Sequence, residues 1–334
     1  MEYAPAQEFG ALLAALVKAQ GSRSLALEVL DQHCGRARTV LKAAVEGSTL
    51  TNAEALAALR SISNGFLDAL RPQSAFDYVL ANGARRVGLR TKLAATIITA
   101  DGSDADEGQP KPLSALSLAS ATVAPRKAVS TVVISAELAR MAGEAGVAFI
   151  QREVRGAHAS AVNAMFISIL LAVASGAQTV QSSGFTPQAI RRDIGLASEL
   201  LAMTGGSALF LLVSLRNALR LSLMSDDAGQ QAFPGMTSRG GELGGLTALA
   251  TDALGDDQFV LLDASSLAAD TGPVLLDVTR HADVQMSDAP AGGAAPMTSL
   301  WQVDALAIRC ERFFGAEPIT DDGVAVIDGI ELPT

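Results

Sequence analysis

The residues able to do covalent or metal chemistry in this chain are few. It holds three histidines, His33, His158 and His281, and two cysteines, Cys34 and Cys310. No histidine shares a metal-ligand spacing with an acid or a cysteine. His33 and Cys34 are neighbours, and adjacent residues rarely orient as base and nucleophile. The cysteines lie far apart and read as buried or half-buried thiols of a reducing compartment. No G-x-S-x-G elbow is present among the serines. The GGELGG run at 240–245 lacks the GK[ST] ending of a phosphate loop and reads as a flexible turn entering a strand. Acids gather at Asp101, Asp104, Asp106 and Glu107, but Ser103 and Ala105 stand where a calcium loop needs further ligands. No catalytic, cofactor or metal site is expected. What remains is charge. Arg85, Arg86, Arg90 and Lys92 occur with no acid among them, shortly before that acidic run, and these eight residues are candidates for contacts between subunits.

The elements that carry these charges follow from periodicity. Val87, Leu89, Thr91, Leu93, Ala95 and Ile97 alternate with Arg86, Gly88, Arg90, Lys92, Ala94 and Thr96, which predicts one strand. DGSDADEGQPKP breaks it, and alternation resumes from Leu116 to Val123. The pattern is a long hairpin arm with a polar tip. Its two-faced surface is hard to satisfy within one chain, and such arms commonly lie on a neighbour.

Next comes the stretch Lys127–Leu171. Val129, Thr131, Val132, Val133 and Ile134 predict a strand, and Ser135 and Glu137 suit a helix start. A helix of roughly 30 residues, ~45 Å long, should follow. Glu137, Arg140, Glu144, Gln151, Arg155 and His158 mark its wet stripe; Leu138, Met141, Ala145, Ala148, Phe149 and Ala161 fill the other faces.

Before the arm, residues 6–70 read as three helical segments, the third opening at Thr51-Asn52. After the long helix, Thr186-Pro187 starts another that Gly205-Gly206 ends. SALFLLVSL then reads as a buried strand, followed by a short helix from Asn217 to Met224. Strands are expected at 259–262 and 274–276, along the segment alternating Leu306, Ile308 and Cys310 against Arg309 and Glu311, and at GVAVIDG.

Bulk properties narrow the class. The 334 residues are 49% hydrophobic but only 4% aromatic, so the core is built of small aliphatics. A formal charge of −10 argues against a dedicated nucleic-acid binder. MEYAPAQEFG has no positive n-region, and the apolar run Ala164–Ala174 is short for a bilayer span, so no secretory signal or membrane segment is expected. From the residues alone, the chain is a soluble α+β protein whose arm grips a partner.

Several segments in order give a resemblance. DEGQPKP, SLASATVAPRKAVSTVVISAELAR, VNAMFI, GGELGGLTAL, FVLLDASSLA and TSLWQVDALAIRCERFFG follow one another as in the major capsid proteins of tailed double-stranded-DNA phages, the Hong Kong 97 type of shell fold. The resemblance implies an α+β capsid fold. Residues 1–80 would be a helical N-terminal arm region, although 1–75 match nothing in the family. Residues 81–127 would be the extended loop, 128–175 with 297–318 a peripheral domain with a long spine helix, 176–296 an axial domain, and 319–334 a C-terminal strand. The implied role is structural and non-enzymatic, without cofactors. Subunits form pentamers and hexamers of an icosahedral phage head, part of a virion assembled in the host bacterial cytoplasm. Implied partners are copies of the chain, a portal, a scaffold or maturation protease, a cementing protein, and packaged DNA held without sequence-specific contact. Encapsulin nanocompartments share the shell fold and are the alternative; a soluble enzyme with an unrecognised site is the second. One departure stands out. The founding member of the fold joins subunits through lysine–asparagine bonds, and no asparagine follows Asn217 here.

Overall fold

The computed structural model describes residues 4–30, 34–46, 61, 70, 74–98, 117–137, 144–174, 178–201, 208–226, 228–286 and 297–331. In chain order the helices are α1 (Pro5–Lys18), α2 (Arg23–Val29), α3 (Gly35–Glu46), α4 (Ala75–Ala81), α5 (Glu144–Val173), α6 (Pro187–Glu199) and α7 (Leu215–Leu223). The strands are β1 (Arg85–Arg86), β2 (Lys92–Ile98), β3 (Ser117–Thr122), β4 (Arg126–Ser135), β5 (Thr179–Gln181), β6 (Leu209–Ser214), β7 (Met236–Thr237) and β8 (Gly240–Leu243). They continue with β9 (Leu246–Thr251), β10 (Gln258–Asp263), β11 (Leu267–Thr279), β12 (Asp283–Gln285), β13 (Met297–Ser299), β14 (Ala305–Pro318) and β15 (Val324–Asp328). The chain divides into two units. One holds Met1–Ser74, Lys127–Val162 and Gly272–Phe313; the other holds Ala75–Arg126, Asn163–Thr271 and Phe314–Thr334.

In the first unit the N-terminal helices use their apolar stripes. Pro5 sits at the start of α1, where its missing N–H costs nothing. Phe9, Leu12, Leu13, Leu16 and Val17 bury one face against Ala26, Leu30, Ala37 and Leu41. Glu8 is fully buried, accepts from the Ala37 N–H at 3.0 Å and pairs with Arg36 at 3.2 Å. A carboxylate against the first turn of α3 suits the helix dipole, so this buried charge joins α1 to α3. The same core takes Ile150, Val154 and Ala159 of α5, Val274 and Val278 of β11, and Leu306, Ile308 and Cys310 of β14. Ala305 and Ala307, on the opposite side of β14, enter a smaller cluster with Leu300 and Val133. Both faces of β14 are therefore covered at its start. The third expected helical segment and the Gly205-Gly206 stop lie outside the described residues.

The wet stripe of the long helix is corrected. Gln151 and Arg155 are half-buried and His158 is fully buried, whereas Ala148 and Phe149 are exposed. The reason is spacing: Ile150, Val154 and His158 are four apart, so His158 shares the face that the two aliphatics commit to the core. The apolar run that begins at Ala164 is part of a longer apolar helix. Ala148–Val173 is long and apolar enough to cross a bilayer by length and composition, because the helix extends well before Ala164. In this fold Ile150, Val154, Phe166, Ile167 and Leu170 of that stretch are buried core residues.

The second unit is built on a seven-stranded mixed sheet in the order β5-β15-β10-β6-β9-β8-β7. β10 runs antiparallel to both neighbours, with Val260 opposite Leu212 and Val326. Leu211 and Val213 point to one face and pack with Ile190, Ile194 and Ala197 of α6 and Ala218 and Leu221 of α7. Their neighbour Phe210 points to the other, where Tyr78 of α4 meets it edge-on at 6.0 Å. Phe76 stacks edge-on with Phe166 and Phe314 at 5.4 and 4.9 Å. Thr186 and Ser214 cap α6 and α7, accepting from the N–H groups of Ala189 and Asn217.

Two more expectations change. The GGELGG run is strand β8 followed by a two-residue turn: Gly244 and Gly245 have φ of +61° and +89°, and Leu243 then pairs with Leu246. Two consecutive positive φ values define the hairpin turn that glycine serves best. The strand expected across 86–97 is divided between two sheets. Arg85 and Arg86 pair parallel with Ala268 and Ala269 of β11. The chain then turns at Gly88–Thr91, with Arg90 at φ +66°, before β2 begins and pairs with β3 in a separate two-stranded sheet. Alternation continued through the turn because Gly88 and Thr91 fit either conformation.

Candidate assembly surfaces

The expected cationic segment is at the surface. Arg85, Arg86, Arg90 and Lys92 are all exposed, and none has an ion pair among the described residues. The Arg90 N–H donates to the Val123 carbonyl at 2.9 Å, which ties the turn to the end of the returning strand. The structure therefore holds this backbone and leaves its cations to solvent. Their expected acidic counterparts, Asp101, Asp104, Asp106 and Glu107, lie outside the described residues, as does His33.

A second charged surface runs across the sheet of the first unit. Asp277 meets Arg23 at 3.4 Å and Arg309 at 3.2 Å. Arg309 meets Glu311 at 3.4 Å, and Glu311 meets Lys127 at 2.9 Å. Cross-strand pairs of opposite sign at half-exposed positions contribute little individually but fix register.

Beneath it lies a buried polar group that sequence reading missed. His158 Nδ1 lies 3.4 Å from the Ser130 hydroxyl. Burial, then the charge of Arg312, push the His158 imidazole down to about 3, so it is neutral near pH 7. Burial pushes the Cys310 thiol up to about 12 against the opposing effects of Arg312 and a hydrogen bond from Ser130. A thiol held protonated by burial is the opposite of an activated cysteine. The group is a packing feature. Cys34 is also buried, and His281 is exposed. Among the described residues no cluster of three or more His, Cys, Asp or Glu could hold a metal.

Large apolar side chains reach solvent in several places, and two of these hold three or more together. In the first unit Met286, Met297, Trp301 and Val303 follow or flank the β12–β13 pair, with Trp301 65% exposed. In the second, Leu215, Leu219 and Leu223 stand on α7. The α7 signal was present in the sequence, since leucines recur there at more than one helical phase and a single core face cannot use them all.

The comparisons with known proteins bear on these surfaces. No family profile matches the chain. In sequence it is 29% identical over 320 residues to the capsid polyprotein of Pseudomonas phage PAJU2, an alignment that takes in 88% of this chain and 48% of that protein. The chain is similar to a phage capsid protein. It spans about half the length of that curated relative. In structure it superimposes on a chain from Gordonia phage Cozz with a TM-score of 0.50 and 15% identity, over 73% of this chain and 84% of the other. A virus-like particle from Pyrococcus furiosus gives a TM-score of 0.45 and 11% identity over 81% of this chain and 98% of that one. The general fold is that of the Hong Kong 97 type of capsid protein.

Proposed function

We propose that this chain is the shell-forming subunit of a phage head, assembling with copies of itself into pentamers and hexamers of an icosahedral capsid around double-stranded DNA. The observation that carries this reading is the sequence match to a capsid polyprotein across 88% of the chain, joined to a capsid-type fold. The role is structural rather than enzymatic. In this reading α5 is the spine helix of a peripheral domain formed by 128–175 and 297–318. Residues 176–296 form the axial domain, 81–127 the extended loop, 1–80 a helical N-terminal arm region, and 319–334 a C-terminal strand. The compact units divide the chain differently: α5 changes unit between Val162 and Asn163, and β15 pairs with β10 and β5 in the seven-stranded sheet.

Arg85, Arg86, Arg90 and Lys92 then meet acidic surface on a neighbouring copy, and Asp101, Asp104, Asp106 and Glu107 serve as contacts at the other end of the loop. A portal, a scaffold or maturation protease and a cementing protein complete the virion, which is assembled in the host cytoplasm. With a net charge of −10 the shell holds DNA without sequence-specific contact. The test is direct. The purified chain, alone or co-expressed with a scaffold and protease, should give closed particles by negative-stain microscopy. A small monomer on a sizing column under every such condition would overturn the reading.

A further inference from the structure

Helix α7 seats Asn217, Ala218 and Leu221 in the core of its unit. Leu215, Leu219 and Leu223, each four residues apart, are 49%, 47% and 74% exposed. At ~100° per residue they occupy a strip ~80° wide, and Arg216 and Arg220 border it on one side. Single exposed leucines are ordinary, but three stacked on one helix face form a contiguous apolar stripe with a basic rim. Arg216 is mostly exposed and reaches Asp256 at 3.3 Å; Arg220 donates to the Asn217 Oδ1 at 3.3 Å.

We infer that the outer face of α7 is the seat of a second copy of this chain, in a head-to-tail contact between neighbouring subunits. This rests on the shell-subunit reading above and names one of its surfaces. Charge selects the occupant. The rim is basic, so what covers it must be apolar with carboxylates at its edge, and the chain carries 35 acids against 25 bases. The same unit exposes Glu242, Asp252 and Asp257. Charge also disfavours one symmetry. An antiparallel two-fold pairing of this face would set Arg216 and Arg220 against their own copies. A heterologous contact avoids that repulsion and is the kind that closes rings.

The experiment uses the full chain under conditions where the parent forms particles. Leu219→Gln with Leu223→Gln keeps side-chain length and helix propensity at exposed positions, so the subunit should melt as the parent does. Its particle yield should fall by about tenfold or more. Separately, Leu219→Cys places one accessible thiol in a chain whose described cysteines, Cys34 and Cys310, are both buried. Maleimide should label position 219 in dissociated subunits and be excluded from it in particles. Parental yield from a folded double variant, or equal labelling of position 219 in subunits and particles, overturns the inference. If the double variant fails to fold, the labelling result decides. If the parent never assembles, the shell-subunit reading falls and takes this contact with it. If the parent assembles while position 219 stays open, only this contact falls.

Discussion

At the scale of single residues, Arg86 and Arg90 are exposed cations with no ion pair among the described residues, on a backbone held in place by its own hydrogen bonds. Exposed pairs contribute only ~0.2–1 kcal/mol each, so removing one charge should change assembly little. Reversing both, Arg86→Glu with Arg90→Glu, sets like charges against the proposed acidic neighbour. Particle yield should drop while subunit melting stays unchanged; assembly at the parental level would favour a merely solvated strand edge. His158 gives a second residue-scale prediction. Its folded-state pKa is lowered from 6.5 to about 3, so the unfolded chain takes up a proton first as pH falls. The stability that rests on a neutral His158 is complete above the unfolded value and is lost as pH falls between those two values, at roughly 1.4 kcal/mol per pH unit. Urea unfolding of dissociated subunits at several pH values should show a shallower acid loss for His158→Gln than for the parent. Equal slopes would refute the burial argument.

At the scale of elements, β2 and β3 pair with each other and with no other strand among the described residues. They form a two-stranded sheet of their own. Deleting residues 95–115 should therefore leave a cooperatively folding subunit. If the loop grips a neighbour, that subunit should form no closed shells. Normal particles from the deletion, seen by negative-stain microscopy, would remove the loop from the assembly mechanism. The helix–sheet layers of the second unit are less forgiving, because Leu211, Val213, Phe259 and Leu261 lie in one core with residues of both covering helices.

At the scale of the whole molecule, covalent cross-linking of the lysine–asparagine kind finds no asparagine after Asn217. Asn217 is fully buried and donates to the Asp256 carbonyl at 2.7 Å; Asn163 is buried and accepts from the Ala75 N–H at 2.9 Å. Asn82 donates to the Tyr78 carbonyl at 2.8 Å. Glu311, a carboxylate that could have moved the proton, is held between Lys127 and Arg309. Boiled, reduced particles should therefore run as monomers near 34.3 kDa, or slightly smaller if the N-terminal region is clipped. A ladder of pentamers and hexamers surviving denaturation would contradict this.

The sequence by itself determined the elements whose pattern is local. Val129–Ile134 falls within β4, the run from Leu209 to Ser214 is a buried strand, and α5 has the expected length of 30 residues. Thr186 announces α6 through its own capping bond. The cationic segment was legible too, since no acid interrupts it. Tertiary structure decided what those elements face. His158 reads as polar along the helix, but β4 and β14 bring Ser130 and Arg312 to it and close off water. Alternation across 86–97 is continuous in sequence, yet β11 captures Arg85 and Arg86 while β3 pairs with the rest. Periodicity records how one segment divides polar from apolar side chains. Which side is buried depends on residues more than a hundred positions away, and no local pattern encodes that choice.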